Sequence, residues 1–153
     1  MVHNSVSQMW ENYLITLENK LKNAEYSSWH FSANKEDANE LAALVRNNVK
    51  TATSSLHMLY EMEGVKRPQK GELNIITDWD GVAQAITETV NVSIIPFKEV
   101  SEDFARKEGE GDRTLHYWRT VHIDFFTKEL MNMNIAFSED MLVVCEELRL
   151  IYK

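Results

Sequence analysis

Apolar positions near the amino terminus recur at the three- and four-residue spacing of an amphipathic helix. They are Met9, Trp10, Tyr13, Leu14, Leu17 and Leu21, with polar residues between them. This stripe predicts a helix that packs one face against the rest of the protein. The polar segment 27–35 predicts a loop, held to the core by Trp29 and Phe31. A second short helix is expected from about Asp37, and it leads the chain to Lys50.

The middle of the chain has the composition of strands. Small and β-branched residues at 51–55 favour a strand or tight turn, and residues 73–77 favour another strand after the turn residues 68–71. Asp80-Gly81 is typical of a hairpin, because both residue types tolerate positive φ. The run 82–96, rich in Val, Ile and Thr, predicts one bent strand or two short ones.

After Pro96 the apolar residues return to helical spacing. A short helix is expected to stop at Gly109, and a longer helix is expected from Thr114. The final segment, 141–152, alternates at its end and predicts a strand. These elements predict one mixed α+β domain, with the last strand free to close the sheet into a β-barrel.

Length and composition agree with one domain over residues 1–153. We expect a helix and loop over 1–36 and the barrel with its helices over 37–153. A hydrophobic content of 44% in 153 residues is enough for one core. No stretch approaches the roughly 18 uninterrupted apolar residues of a membrane span, and the amino terminus does not resemble a secretory signal, so a soluble cytoplasmic protein is expected. Cys145, the single cysteine, lies in an apolar run and is predicted to be a core residue.

The charge balance opposes binding to long nucleic acids. Sixteen lysines and arginines stand against 24 acidic residues, a formal net charge of -8, which disfavours non-specific attraction to a phosphate backbone. Basic residues such as Lys66, Arg67 and Lys70 form no long block. A nucleic-acid partner would need a local basic patch, and no DNA partner is expected.

The segment Lys50-Thr51-Ala52-Thr53 is one candidate for chemistry. Burial disfavours the charged form of a lysine, and a neutral amine can take a proton from a nearby hydroxyl such as that of Thr53 or Thr51. In a straight strand, Lys50 and Thr53 would point to opposite faces, so they converge only if the chain bends. The alternative is an ordinary surface lysine followed by strand threonines.

The run Glu108-Gly109-Glu110-Gly111-Asp112 is a second candidate. Glycines let a backbone approach a ligand closely, and carboxylates accept hydrogen bonds, bind hard cations or transfer protons. The alternative is a helix end followed by an acidic loop, with Asp112 near the amino-terminal cap of the next helix. An EF-hand calcium loop does not fit the spacing.

The long helix offers three further candidates. His122 falls on the apolar stripe and is predicted to be a core residue. Tyr117 and Arg119 lie off the stripe, where they could stack on a base or clamp it, or simply face solvent. The histidines show no zinc-binding spacing, and neither a metal site nor a cofactor is predicted.

Taken in order, these motifs resemble the ASCH domain proteins from about residue 38 onward. The motifs are Glu40-Leu41-Ala42, Val49 to Ser55, Pro68, Gly71-Glu72, Ile94 to Val100, Ala105, Glu108 to Asp112, Tyr117-Trp118-Arg119, His122, Phe125-Phe126 and Phe137 to Met141. The resemblance implies a PUA-like β-barrel flanked by helices. The family pattern Gly-x-Lys-x-x-Thr-x-Arg falls on Asn48, Lys50, Thr53 and Ser55, so the lysine and threonine match while the glycine and arginine do not. The Glu-Gly-Glu-Gly-Asp run indicates a longer subgroup.

The same resemblance implies a function directed at RNA or a modified nucleoside. Some similar proteins are small amidohydrolases that remove the acetyl group from N(4)-acetylcytidine, and their catalytic set corresponds here to Lys50, Thr53 and Glu108. Thr53 would be the nucleophile, Lys50 its base, and Glu108 would orient the lysine or handle a proton. The ligand-binding residues expected around this set are Thr51, Ser55, Glu110, Asp112, Tyr117 and Arg119.

Two other functions stay open at this point. The domain could be a non-catalytic RNA- or nucleotide-binding module linked to translation. It could also be a metal-dependent ribonuclease with Glu108, Glu110 and Asp112 around a divalent ion. The oligomeric state is open, with a homodimer as one option.

Overall fold

A computed structural model describes all residues from 1 to 153 and contains five α-helices and five strands. In chain order these are α1 (Asn4–Thr16), β1 (Tyr26–Trp29), α2 (Lys35–Arg46), β2 (Ala52–Leu56), α3 (His57–Glu63), β3 (Leu73–Thr77), β4 (Ala83–Pro96), α4 (Glu102–Glu108), α5 (Leu115–Met131) and β5 (Leu142–Tyr152). A 3₁₀ turn, Phe97–Glu99, follows β4. The predicted mixed α+β architecture is confirmed.

All five strands form one sheet, in the order β1-β3-β4-β5-β2. β1 runs parallel to β3, and the other neighbours are antiparallel. The longest strand, β4, is the first of the two options predicted for 82–96, one strand and not two short ones, and it pairs with β5 along most of its length. The pairing shifts between Ile86 and Thr87 and between Thr89 and Asn91. Such irregularities increase the local twist and coil the sheet.

The prediction of a closed barrel was wrong, because the sheet is open. β5 lies inside the sheet between β4 and β2, and the edges are β1 and β2, which do not pair with each other. Ser27 and Trp29 of one edge and Thr53 of the other line the same cavity. The space that a closing pair would fill therefore holds a ligand-sized cavity.

Helices cover the sheet and form its core. Trp118, Phe126 and Leu130 of α5 are buried against Phe97 and Cys145. The core prediction for Cys145 is confirmed, and burial, with Glu108 adding to its effect, raises the pKa of the thiol to about 12. On other parts of the sheet, α1 and α2 bury their own apolar faces. No helix is both long and apolar enough to cross a bilayer.

Three local predictions need correction. Residues 26–29 form strand β1 rather than part of a loop, because their backbone pairs with β3. Helix α3 was not predicted from the sequence. The amino-terminal helix ends at Thr16, so Leu17 and Leu21 lie beyond it. The helix boundaries predicted at Gly109 and Thr114 are confirmed. Gly109 ends α4 at φ +74°, and the Thr114 side chain caps the start of α5.

Candidate active site

A cavity of about 650 Å³ opens between the two edge strands. Its volume falls within the roughly 300 to 1,000 Å³ typical of small-molecule sites. Five aromatic side chains line it: Trp29, Phe31, Tyr60, Tyr117 and Phe125. Lys50, Thr53 and Glu108 line it as well. The cavity thus combines apolar ring surface with polar and charged side chains.

A buried ion pair joins the two sequence motifs that the chain keeps far apart. The Lys50 Nζ lies 3.0 Å from the Glu108 Oε1, and both side chains are 2% exposed or less. Glu108 is the last residue of α4, and Gly109 follows in the left-handed conformation. A Cβ on Gly109 would lie 2.6 Å from the Val49 carbonyl oxygen, so only glycine permits this contact. The close approach of these backbones brings Lys50 and Glu108 together.

The Glu108 carboxylate is saturated with donors. Besides Lys50 it accepts hydrogen bonds from the Ser54 hydroxyl at 2.7 Å and from the Trp118 indole N–H. Both of these bonds are to the Glu108 Oε2, and the His122 Nε2 lies 3.3 Å from that oxygen. Burial would raise the pKa of Glu108, but the charges of Lys50 and His122 and these hydrogen bonds outweigh it and lower the pKa below its usual range. Glu108 is therefore held ionised, with its lone pairs engaged.

Glu110 is a second carboxylate near Lys50, and its environment differs from that of Glu108. Its Oε1 is 3.9 Å from the Lys50 Nζ, and its buried Oε2 has no hydrogen-bond partner. Burial raises the pKa of Glu110; the Glu108 charge adds to the rise, while Lys50 opposes it. The pKa values of the two carboxylates beside Lys50 are thus shifted in opposite directions. In enzymes, two carboxylates with pKa values shifted apart often divide the work: one exchanges protons as an acid or base, and the other stays ionised.

Glu108, Glu110 and His122 also form a set of metal-ligand types, with one donor atom of each within 4.8 Å of the others. The ammonium group of Lys50 already supplies a cation to both carboxylates. A divalent ion at this place would have to lie beside that positive charge, which disfavours its binding. Asp112, the third carboxylate of the alternative metal-dependent ribonuclease, is exposed and does not line the cavity.

Thr53 lines the cavity from β2, but its hydroxyl makes no hydrogen bond to Lys50 or Glu108. Ser54, its neighbour, makes the bond to Glu108 instead. Lys50 lies before the start of β2 and approaches Glu108 from there, so the convergence of lysine and glutamate does not require the strand to bend. Of the predicted set, Lys50 and Glu108 are in direct contact. Thr53 lines the same cavity and has a free hydroxyl.

Comparison with known proteins agrees with this fold. The family model of the ASCH domain matches residues 27–152. The chain belongs to the ASCH domain family. Its structure is similar to that of an ASCH domain from Lactobacillus crispatus, with a TM-score of 0.93 at 35% identity over 99% of this chain and 97% of that one. A protein from Enterococcus faecalis V583 gives a TM-score of 0.85 at 34% identity over 97% of this chain and 88% of that one. The comparison with curated proteins returns no match.

The ASCH domain is a PUA-like fold of the RNA-binding type, and this confirms the fold that the motifs implied, except that the sheet is open and not a closed barrel. The family assignment identifies neither a substrate nor a reaction for this chain. A third solved structure, of a hypothetical protein 15% identical to this chain, matches at a TM-score of 0.55 over 83% of this chain and all of that one, and shows the shared fold alone.

The ligand-binding residues predicted for this ASCH domain divide into two groups. Ser55, Glu110 and Tyr117 line the cavity, and the Ser55 hydroxyl is 2.7 Å from that of Tyr60. Tyr117 also packs on Gly111, where a Cβ would lie 2.3 Å from its ring. These three residues are placed where a ligand would contact them.

The other three predicted residues lie outside the cavity lining. The Thr51 hydroxyl donates to the Lys107 carbonyl oxygen, and the Arg119 guanidinium donates to the Lys98 carbonyl oxygen. Asp112 accepts hydrogen bonds from the backbone and hydroxyl of Thr114 at the start of α5. Each therefore makes local contacts, and the alternative interpretation of Asp112 as part of a helix-start loop agrees with its position.

Sequence reasoning missed several polar residues of the cavity wall, above all Ser54, Asn74 and Glu146. His122 was predicted as a core residue; it is buried, and it also lines the cavity beside Glu108. The available signal for Glu146 was a carboxylate placed directly after the apolar run that ends at Cys145.

Proposed function

We propose that this ASCH domain hydrolyses the acyl amide of a modified pyrimidine nucleoside, of which N(4)-acetylcytidine is the simplest example. The observation that supports this most is that Lys50, Thr53 and Glu108 line one cavity of suitable size. The aromatic walls supply π-faces on which a pyrimidine can stack. An amidohydrolase needs a nucleophile and a base at such a surface.

The three residues take different roles in this reaction. Thr53, with its free hydroxyl, attacks the acyl carbon, and its proton passes to Lys50. Lys50 is freed to accept it by giving a proton to Glu110, whose raised pKa suits that task. The amide bond then breaks as Lys50 passes this proton to the amino nitrogen of the departing nucleoside. Water next attacks the ester on Thr53, with Lys50 taking the water proton and returning it to the Thr53 oxygen as the carboxylic acid is released. Glu108 positions Lys50 throughout.

Charge in the cavity favours a free nucleoside over RNA. The lining contains seven acidic side chains and two lysines, Lys50 and Lys66. The acidic residues are Asp37, Glu40, Glu72, Glu108, Glu110, Glu129 and Glu146. A cavity with an excess of acidic side chains repels phosphate groups, and the net charge of -8 on the whole chain acts in the same direction. An uncharged ligand avoids this repulsion.

A second candidate function is a module that binds a nucleoside or RNA without cleaving it. One observation favours it: the Thr53 hydroxyl has no hydrogen bond to a base, whereas a serine or threonine nucleophile usually does. A binding module would retain its ligand without releasing acetate. A metal-dependent ribonuclease is less favoured because the positive charge of Lys50 lies 3.0 Å and 3.9 Å from the two carboxylates that would hold the ion.

Replacing Thr53 tests the proposed reaction. We expect Thr53→Ala to lower the rate of acetate release from N(4)-acetylcytidine at least roughly a hundredfold, since it removes the nucleophile. Thr120→Ala is the matched control, because Thr120 is an exposed threonine of α5 that bonds only the His116 carbonyl oxygen. The two variants would be compared by steady-state kinetics and by thermal melting.

Three outcomes separate the alternatives. Unchanged turnover in Thr53→Ala contradicts the role of that residue. Binding of the nucleoside without acetate release by the natural sequence supports the binding module. If the protein neither binds nor hydrolyses any nucleoside in a panel of acylated nucleosides, both the hydrolase and the binding module are contradicted.

A further inference from the structure

A one-way relay of hydrogen bonds runs along the cavity wall and ends at Glu146. The Trp29 indole N–H donates to the Asn74 Oδ1 at 3.1 Å, and the Asn74 amide donates to the Thr89 hydroxyl at 3.1 Å. That hydroxyl donates to the Glu146 Oε1 at 2.7 Å. Asn74, Thr89 and Glu146 are all buried. Because Thr89 accepts from Asn74, its own proton is directed to Glu146.

The relay leaves one carboxylate oxygen available to the cavity. Glu146 lines the cavity, its Oε1 is engaged by Thr89, and its Oε2 makes no hydrogen bond. Burial raises the pKa of Glu146, which the Thr89 hydrogen bond opposes and Glu72 reinforces. Because no protein group donates to Oε2, a ligand N–H that enters the cavity can donate to it.

Glu146 lies beside the proposed nucleophile. In the antiparallel pair of β2 and β5, Thr53 is directly opposite Glu146. Directly opposed residues on an antiparallel pair point to the same face, with Cβ atoms about 4.5 to 5.5 Å apart. In an acylated amino-pyrimidine, the N–H is on the nitrogen bonded to the acyl carbon. A group that holds this N–H must therefore lie next to the group that attacks the carbon.

We infer that Glu146 selects the ligand, by accepting a hydrogen bond from the exocyclic N–H of the pyrimidine ring while Thr53 faces the adjoining acyl carbon. This inference rests on the proposed function, because it takes the occupant of the cavity to be a pyrimidine nucleoside. It assigns Glu146 a specificity role: a ring with an amino group, such as cytidine, presents a donor to Oε2. Uridine presents a carbonyl oxygen at the same position and places two acceptors face to face.

A Glu146→Gln variant tests this role, because the relay fixes its orientation. Thr89 donates toward residue 146, so the amide oxygen of glutamine takes the Thr89 bond and its NH₂ group faces the cavity. We expect the natural sequence to bind cytidine at least about tenfold more tightly than uridine, the ratio for one unsatisfied polar contact. In Glu146→Gln the preference should be lost or reversed. Affinities would be measured by isothermal titration calorimetry with the two free nucleosides.

Glu129→Gln is the control, because it removes a carboxylate from the same cavity and should keep the preference for cytidine. Equal binding of both nucleosides by the natural sequence, or an unchanged preference in Glu146→Gln, overturns the inference and leaves the proposed function standing. Failure to bind either free nucleoside also overturns the inference, whereas the proposed function is tested separately by acetate release from N(4)-acetylcytidine.

Discussion

At the scale of single residues, Glu108 organises the candidate site. It is almost completely buried, and it holds Lys50 with one oxygen and Ser54 and Trp118 with the other. Removing one partner of a buried ion pair is strongly destabilising, because the remaining charge stays buried without compensation. Glu110 differs, since ionisation of its buried carboxylate is disfavoured.

These opposite environments predict opposite effects on stability. Glu108→Gln should lower the free energy of unfolding by about 3 to 5 kcal/mol, because it leaves the buried Lys50 charge without its hydrogen-bonded partner. Glu110→Gln, the matched control, should leave stability unchanged or raise it, since it removes a carboxylate whose ionised form is disfavoured by folding. Urea unfolding at neutral pH measures both. Equal destabilisation by the two substitutions would contradict the assigned roles.

The Glu108 contribution should also depend on pH in a definite direction. Its pKa is lowered by folding from an ordinary value of 4.5, so the unfolded chain binds the proton more readily. Its stabilisation is therefore complete above that value and is lost as the pH falls through the lower folded-state pKa. The stability difference between the natural sequence and Glu108→Gln should shrink on acidification over that range.

The residues of this site were predictable from sequence to different degrees. Lys50 and Glu108 were singled out because their motifs occur in the order typical of the family. Ser54 and Glu146 were not, because their roles depend on which side of a strand faces the cavity and on cross-strand pairing with β5. Such pairings join residues far apart in the chain, and local pattern does not contain them.

At the scale of secondary-structure elements, the site depends on how the end of α4 meets the start of β2. The Thr51 backbone N–H donates to the Lys107 carbonyl oxygen at 2.6 Å, and Gly109 contacts Val49. These contacts set the position of Glu108 relative to Lys50. Any side chain at position 109 would separate the two elements.

Gly109→Ala should accordingly destabilise the protein and disturb the site. The new Cβ would lie 2.6 Å from a backbone oxygen, in addition to the strain of a positive φ. Gly64→Ala is the control, because Gly64 has a similar φ of +65° with no atom within 4 Å of an added Cβ. Gly64→Ala should lower the free energy of unfolding by about 1 to 2 kcal/mol through the left-handed conformation alone. Gly109→Ala should lower it by clearly more, and denaturant unfolding measures both. Equal costs would show that the close approach is unimportant.

Most elements followed from local signals, and the exceptions have physical reasons. The glycine at 109 and the threonine at 114 mark helix boundaries by backbone chemistry that is independent of the rest of the fold. β1 has only four residues and becomes a strand through its parallel pairing with β3, which is remote in sequence. Whether the sheet closes is likewise decided by the pairing of its edges, so the open form could not be predicted from strand patterns.

At the scale of the whole molecule, the fold and its charge point to different ligands. The ASCH domain is a fold of the RNA-binding type, yet this chain has a net charge of -8 and a cavity in which acidic side chains outnumber the lysines by seven to two. An open sheet with a cavity between its edge strands suits a small, uncharged molecule better than a polyanion. We therefore propose an acylated free nucleoside, and not RNA, as the substrate of this cavity.

The most direct test is the rate of acetate release from free N(4)-acetylcytidine compared with the same base within a short RNA. We predict release from the nucleoside with a kcat/KM at least about tenfold higher than for the RNA, because the acidic cavity repels phosphate. The same comparison at higher salt should narrow the difference, since salt screens charge repulsion. No release from the nucleoside, or release from the RNA alone, would contradict the account.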